Sequence, residues 1–132
     1  MIGHTTDKVT LALIRLAECG ITWFPCGSRW FGDATNESDF DFFTTDTDES
    51  RRWLANNGDL FKFRSLPAYH DINTTAIFST SSRLTDKQVH LILVHSSTDR
   101  VAVREKAKSL SKEERKKSAA AWNRLYKEYY GK

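Results

Sequence analysis

A glycine–serine turn between two short apolar segments constrains the fold of this chain more than any other feature. The first segment, Ile21–Phe24, is β-branched and aromatic, which predicts a buried strand that leads into the turn Gly27-Ser28. Residues 40–44 predict a second strand, and Asp39 and Asp41 alternate there with aromatic residues. Because side chains two apart on a strand point to the same face, we expect both carboxylates on one side of the sheet.

This arrangement of residues indicates phosphate and metal chemistry. A strand that ends in a Gly-Ser turn and opens a helix presents free backbone N–H groups to an anion, and Gly27 lets a phosphate approach the backbone closely. Ser28 and Arg29 add side-chain donors. The carboxylates of Asp39 and Asp41 repel each other unless a cation lies between them, and Mg²⁺ (or Mn²⁺) is the natural candidate. Each part alone is a turn or an exposed strand, but together they predict a nucleotide site.

Residues 21–44 resemble the motif of minimal nucleotidyltransferases in the DNA polymerase beta superfamily. The likeness rests on Gly27-Ser28-Arg29, Gly32-Asp33 and Ser38-Asp39-Phe40-Asp41, and the elements that follow keep the family's order to about residue 96. The resemblance implies Mg²⁺-dependent (or Mn²⁺-dependent) transfer of a nucleotidyl group from a nucleoside triphosphate to a hydroxyl acceptor. It implies nucleotide or phosphate binding by Gly27, Ser28, Arg29 and Ser38, and metal-binding, catalytic roles for Asp39 and Asp41.

The same resemblance implies a third carboxylate on a later strand, where this chain has His90. An imidazole binds Mg²⁺ poorly, but it can act as a general base on the nucleophile. A polar residue on the half-exposed face of the strand Val89–Val94 explains His90 equally well. Asp71 is the rival third carboxylate, although a turn or cap residue is the better explanation for it.

Two functional hypotheses follow from the presence of His90 where a third carboxylate is implied. In the first, the protein is a nucleotidyltransferase whose site is completed by His90 or Asp71. In the second, it is a catalytically impaired nucleotidyltransferase fold that acts as a binding protein, either an inhibitor or adaptor of a nucleic-acid enzyme or the antitoxin of a toxin.

The remaining segments predict an α/β (α+β) fold with a mixed sheet of four to five strands and helices packed on it. We expect a single domain over 1–132, with an αβ core at 1–96 and two basic helices over 97–132. Thr5 or Thr6 is expected to cap a first helix. A short helix is expected from about Asp48 to Asn56, before the turn signal Asn57-Gly58, and further strands are expected over 60–66 and 72–78. The C-terminal helices are predicted at about 100–108 and from Ser111 to about Tyr129, where Ser111 and Glu114 fit a capping box.

Charge is distributed unevenly, although the net charge is only +3. Residues 100–132 carry 11 Lys and Arg against 4 Asp and Glu, so this segment is basic and the rest is acidic. A nucleic acid or a protein acceptor would suit the basic segment, and a solvated helix face explains it without a partner. No apolar run approaches membrane-spanning length, and no secretory pattern begins the chain. The two cysteines are interpreted as free thiols. These features predict a cytoplasmic protein with no membrane partner.

Overall fold

A five-stranded mixed sheet forms the centre of the protein in the computed structural model, which describes residues 7–64, 71–80 and 87–131. The strands stand in the order β1-β2-β5-β4-β3, with β2 and β5 parallel and the other neighbours antiparallel. This α+β architecture confirms the predicted fold class. The strands are β1 (Phe24–Cys26), β2 (Phe40–Thr45), β3 (Phe61–Arg64), β4 (Thr74–Thr80) and β5 (Val89–Val94).

Helices flank the strands, and α1, α3, α4 and α5 each begin at a side-chain cap. Asp7 caps the first helix by accepting from the backbone N–H of Thr10, at 2.8 Å, whereas the predicted caps Thr5 and Thr6 lie outside the described residues. In the described part of the chain no helix is both long and apolar enough to cross a bilayer. The helices are α1 (Lys8–Glu18), α2 (Gly27–Phe31), α3 (Asp48–Asn56), α4 (Ser97–Lys106), α5 (Lys112–Lys116) and α6 (Ser118–Tyr130), with a 3₁₀ turn at Ala107–Ser109.

The two faces of the sheet bury separate apolar clusters. On one face, Leu16 of α1 and Leu54 of α3 pack with strand residues such as Leu91. On the other face, Val101 of α4 packs against a cluster that includes Phe43 of β2. The aromatic side chains of α6 pack with α4, where they are removed from water.

Several elements differ in their bounds from the sequence prediction. Helix α4 begins at Ser97 instead of about residue 100, because the Ser96 side chain caps it. Strand β1 lies at Phe24–Cys26 instead of 21–24, and it includes Pro25, which is tolerated because β1 is an edge strand. Strand β4 starts at Thr74 instead of residue 72, because Asp71 holds the preceding residues in a turn. The predicted last helix is two helices, divided at Lys117, where the backbone leaves helical geometry at φ −78° and ψ 8°.

Candidate functional site

A cleft of about 530 Å³ brings together residues from the sheet and from the C-terminal helices. The sheet side and the start of α2 contribute all three predicted catalytic residues, Asp39, Asp41 and His90, together with the turn residues Gly27 and Ser28. The described residues that line the cleft are Cys26, Gly27, Ser28, Phe31, Asp33, Asp39, Asp41, Asp71, Ile77, His90, Ile92, Arg100, Lys112, Arg115, Lys116 and Trp122.

Gly27 is required at its position for two independent reasons. Its φ of +71° lies in the left-handed region, which L side chains rarely adopt. A Cβ at this position would also lie only 2.9 Å from Cγ of Asp41 and closer still to Oδ2. The missing side chain of Gly27 thus leaves the space that the Asp41 carboxylate occupies, so the turn and the carboxylate strand form one unit.

The carboxylates and the imidazole come from the two central parallel strands. Asp41 of β2 is directly opposite His90 of β5, and Asp39 stands just before β2. Oδ2 of Asp39 is 3.3 Å from Nε2 of His90, and Oδ1 of Asp39 accepts from the backbone N–H of Gln88 at 2.8 Å. The imidazole is therefore held beside a carboxylate, in the position where the resemblance implies a third carboxylate.

Asp41 is half-buried at this junction. Loss of solvent raises its pKa to about 6, an effect that His90 opposes and the negative charge of Asp39 reinforces. No described residue donates a hydrogen bond to the Asp41 carboxylate. A carboxylate in this environment is stabilised by a bound cation or by a proton.

Two other titratable residues of the cleft already have structural roles. Asp71 is buried and pairs with Arg100 at 2.6 Å, while its other oxygen accepts from the backbone N–H groups of Asn73 and Thr74. It is the turn residue that the sequence favoured, with both oxygens engaged. Cys26 is a free thiol, and burial raises its pKa to about 12, so it remains protonated at neutral pH.

Arg29 and Ser38 are not among the described residues that line the cleft. The guanidinium of Arg29 lies over the ring of Phe40 and donates to the backbone carbonyl of Ser38 at 2.8 Å. The Ser38 hydroxyl accepts from the backbone N–H of Thr35 at 2.9 Å. These contacts hold the loop that leads into β2, and thereby position Asp39.

The C-terminal helices form a wall of the cleft, which the sequence did not predict. Arg115 of α5 forms an ion pair with Asp33, donates to the backbone carbonyl of Leu110 at 2.6 Å and lies over the ring of Phe31. Arg104 of α4 donates to the backbone carbonyl of Pro25, also at 2.6 Å. The only sequence signal for this wall was the excess of positive charge after residue 100.

Comparisons of the chain with models of known protein families, with curated proteins and with solved structures found no match. Among the described residues, no group of three or more His, Cys, Asp and Glu side chains is arranged to hold a metal ion. The functional interpretation therefore depends on the cleft itself.

Proposed function

We propose that the protein binds a nucleoside triphosphate with a divalent cation in this cleft and transfers the nucleotidyl group to a hydroxyl acceptor. The observation that carries the proposal is the junction of Gly27, Ser28, Asp39, Asp41 and His90 in one cleft. Such a junction offers a serine hydroxyl for a phosphate, two carboxylates and a general base. A cytoplasmic location fits this proposal, since both cysteines are free.

The donor set suits Mg²⁺ or Mn²⁺. Mg²⁺ is commonly held by one or two carboxylates together with substrate phosphates and water. Asp41 offers two oxygens that accept no hydrogen bond from the described residues, and Asp39 offers Oδ2 beside it. When bound, the cation would neutralise negative charge on the phosphates. Asp39 and Asp41 are the residues that would hold it.

Residues of the protein carry out the other steps of the reaction, which are phosphate binding and proton transfer. Gly27 makes room for the Asp41 carboxylate beside the turn, and the Ser28 hydroxyl donates to a phosphate oxygen. The acceptor hydroxyl attacks the α-phosphorus, a new O–P bond forms, and the bond to the departing pyrophosphate breaks. His90 takes the proton of the attacking hydroxyl, and the neighbouring Asp39 carboxylate stabilises the resulting imidazolium.

A direct test combines binding with turnover. The protein is incubated with α-³²P-labelled nucleoside triphosphates, Mg²⁺ or Mn²⁺ and cell lysate, and its melting temperature is measured with and without nucleotide. We expect label transfer and a nucleotide-dependent rise in melting temperature, both lost in an Asp39→Asn/Asp41→Asn variant. An Asp48→Asn/Glu49→Gln variant on α3, outside the cleft, is the matched control and should retain both. If the wild-type protein transfers no label and is not stabilised by nucleotide and metal, the proposal is wrong.

One observation favours the second hypothesis, a catalytically impaired fold that binds a nucleic-acid enzyme or toxin as inhibitor, adaptor or antitoxin. The strand position expected to carry a third carboxylate is His90, and the rival Asp71 is engaged by Arg100. Under this hypothesis, nucleotide and metal raise the melting temperature but no label is transferred. The same pair of measurements therefore distinguishes a transferase from a binding protein.

A further inference from the structure

The two edges of the sheet differ in what they offer to another chain. At one edge, Pro25 of β1 has no N–H, and its carbonyl already accepts from Arg104 at 2.6 Å. At the other edge, β3 pairs with β4 and with no second strand of the described chain. Alternate residues of an antiparallel strand direct their N–H and C=O groups away from the neighbour with which they pair. Because no described residue outside β4 bonds to the backbone of residues 62–64, β3 presents backbone groups that can pair with a further strand.

Strand β3 has different chemistry on its two faces. Phe63 is 62% exposed, and its ring stands edge-on to that of Phe78, with 5.6 Å between the ring centroids. Because successive side chains of a strand alternate between faces, Lys62 and Arg64 lie on the face opposite to Phe63. The edge therefore combines an exposed aromatic side chain on one face with two positive charges on the other.

The two positive charges of β3 are not neutralised within the described part of the chain. Lys62 donates to the backbone carbonyl of Gly58 at 2.5 Å, which is an uncharged partner. Neither Lys62 nor Arg64 forms an ion pair with a described carboxylate. Asp59 lies close enough to Lys62 for their charges to interact, but its carboxylate already accepts from Arg15 through both oxygens. The edge can therefore form ion pairs with an acidic partner.

The same charges oppose the pairing of β3 with a second copy of this chain. Antiparallel pairing of two β3 strands about a two-fold axis would gather four positive charges, Lys62 and Arg64 of each copy, on one face. Like charges on neighbouring strands repel, and positively charged side chains on edge strands oppose association between identical edges. A strand with acidic side chains at alternate positions reverses the sign of this interaction, so the edge favours a partner that differs from itself.

We propose that β3 binds an extended peptide segment of a partner protein, which adds to the sheet as a sixth strand. The segment alternates acidic with apolar residues, so that its carboxylates face Lys62 and Arg64 while its apolar side chains cover Phe63. Backbone hydrogen bonds to the edge supply affinity in this mode of binding, and the alternate side chains supply specificity. The interaction does not depend on the proposed nucleotidyl transfer, because β3 contributes no residue to the described lining of the cleft.

Three fluorescein-labelled peptides of equal length test the proposal by fluorescence anisotropy with the full-length protein. The first alternates Glu with Val, the second has the same composition in two separate blocks, and the third alternates Lys with Val. We expect the protein to bind the first peptide, and to bind it more weakly as salt is added. A Lys62→Glu/Arg64→Glu variant should bind the first peptide at least about tenfold more weakly and should bind the third instead. The control Lys112→Glu/Lys116→Glu reverses two charges on α5 and should bind as the wild type does.

Hydrogen exchange distinguishes strand addition from a purely electrostatic contact. When the alternating acidic peptide is bound, amide exchange in β3 should slow, while exchange in α5 should not change. The inference is overturned by a wild-type protein that does not bind this peptide, by equal binding of the two acidic peptides, or by unchanged exchange in β3. A charge-reversed β3 variant that keeps the acidic peptide, or that binds neither alternating peptide, would overturn it as well. Binding of the basic peptide by that variant would show that its β3 edge is folded.

Discussion

Replacement of Asp41 by asparagine removes a carboxyl that the fold holds in an unfavourable place. The residue is half-buried, no described residue donates a hydrogen bond to it, and Asp39 adds negative charge nearby. Burial raises its pKa from the ordinary value of 3.8 to about 6. Asparagine keeps nearly the same shape without the charge, so it should relieve this penalty.

The size and sign of the effect follow from linkage between protonation and folding. A pKa raised by about two units corresponds to about 3 kcal/mol. Because the folded-state pKa lies above the unfolded value, the stabilising contribution of the protonated form is complete below about pH 4 and is lost as pH rises through 6. At pH 8 the variant should be more stable by about 2–3 kcal/mol in its free energy of unfolding, and at pH 5 by about half of that.

Urea unfolding at pH 5 and pH 8, without divalent metal, measures this difference directly. In thermal unfolding at pH 8, we expect the melting temperature of the variant to exceed that of the wild type by roughly 8 °C, for a domain of this size. Asp59→Asn is a suitable control, because Arg15 lowers the pKa of Asp59 and its removal should not stabilise the protein. A variant that is no more stable than wild type at pH 8, or a difference that does not change with pH, would refute the reasoning.

Two further comparisons, both made by urea unfolding, test the packing around the cleft. Gly20→Ala changes a left-handed glycine with open space around it and should lower the free energy of unfolding by about 1 kcal/mol. Gly27→Ala should lower it by a further 1–3 kcal/mol or so, because its Cβ overlaps a carboxylate. Equal losses of stability in the two variants would contradict this. Arg100→Met leaves Asp71 as a buried unpaired carboxylate and should cost about 3–5 kcal/mol. The double variant with Asp71→Asn should recover part of that loss, and an Arg100→Met protein as stable as wild type would contradict the interpretation.

Elements defined by local signals were predicted with the correct bounds. Helix α3 lies at Asp48–Asn56 as expected, since it ends where the turn signal Asn57-Gly58 begins. Strand β5 matches the predicted strand Val89–Val94, which is apolar at every position except His90. Strand β1 was misplaced because its position depends on its pairing with β2, in which Phe24 is opposite Phe43. Residues this distant in sequence leave no local pattern.

The candidate site, too, was predicted only where its residues are close to each other in sequence. The glycine turn and both aspartates could be found because they are close in sequence and alternate on one strand. The partners of Asp33 and Asp71 could not be predicted, because they are distant in sequence. Arg115 is 82 residues from Asp33, and Arg100 is 29 residues from Asp71. The sequence showed an excess of basic residues after residue 100, but it did not show which of them turn inward.

The packing of α4 on the sheet, and of α6 on α4, has a consequence for synthesis of the protein. The parallel pair β2–β5 is complete once residue 94 has been made, but the helices that cover one side of the sheet come only afterwards. A nascent or truncated chain that ends near residue 96 would leave side chains such as Phe43 and Ile92 exposed to water. Such a chain would favour self-association, so the last quarter of the sequence protects the sheet as well as lining the cleft.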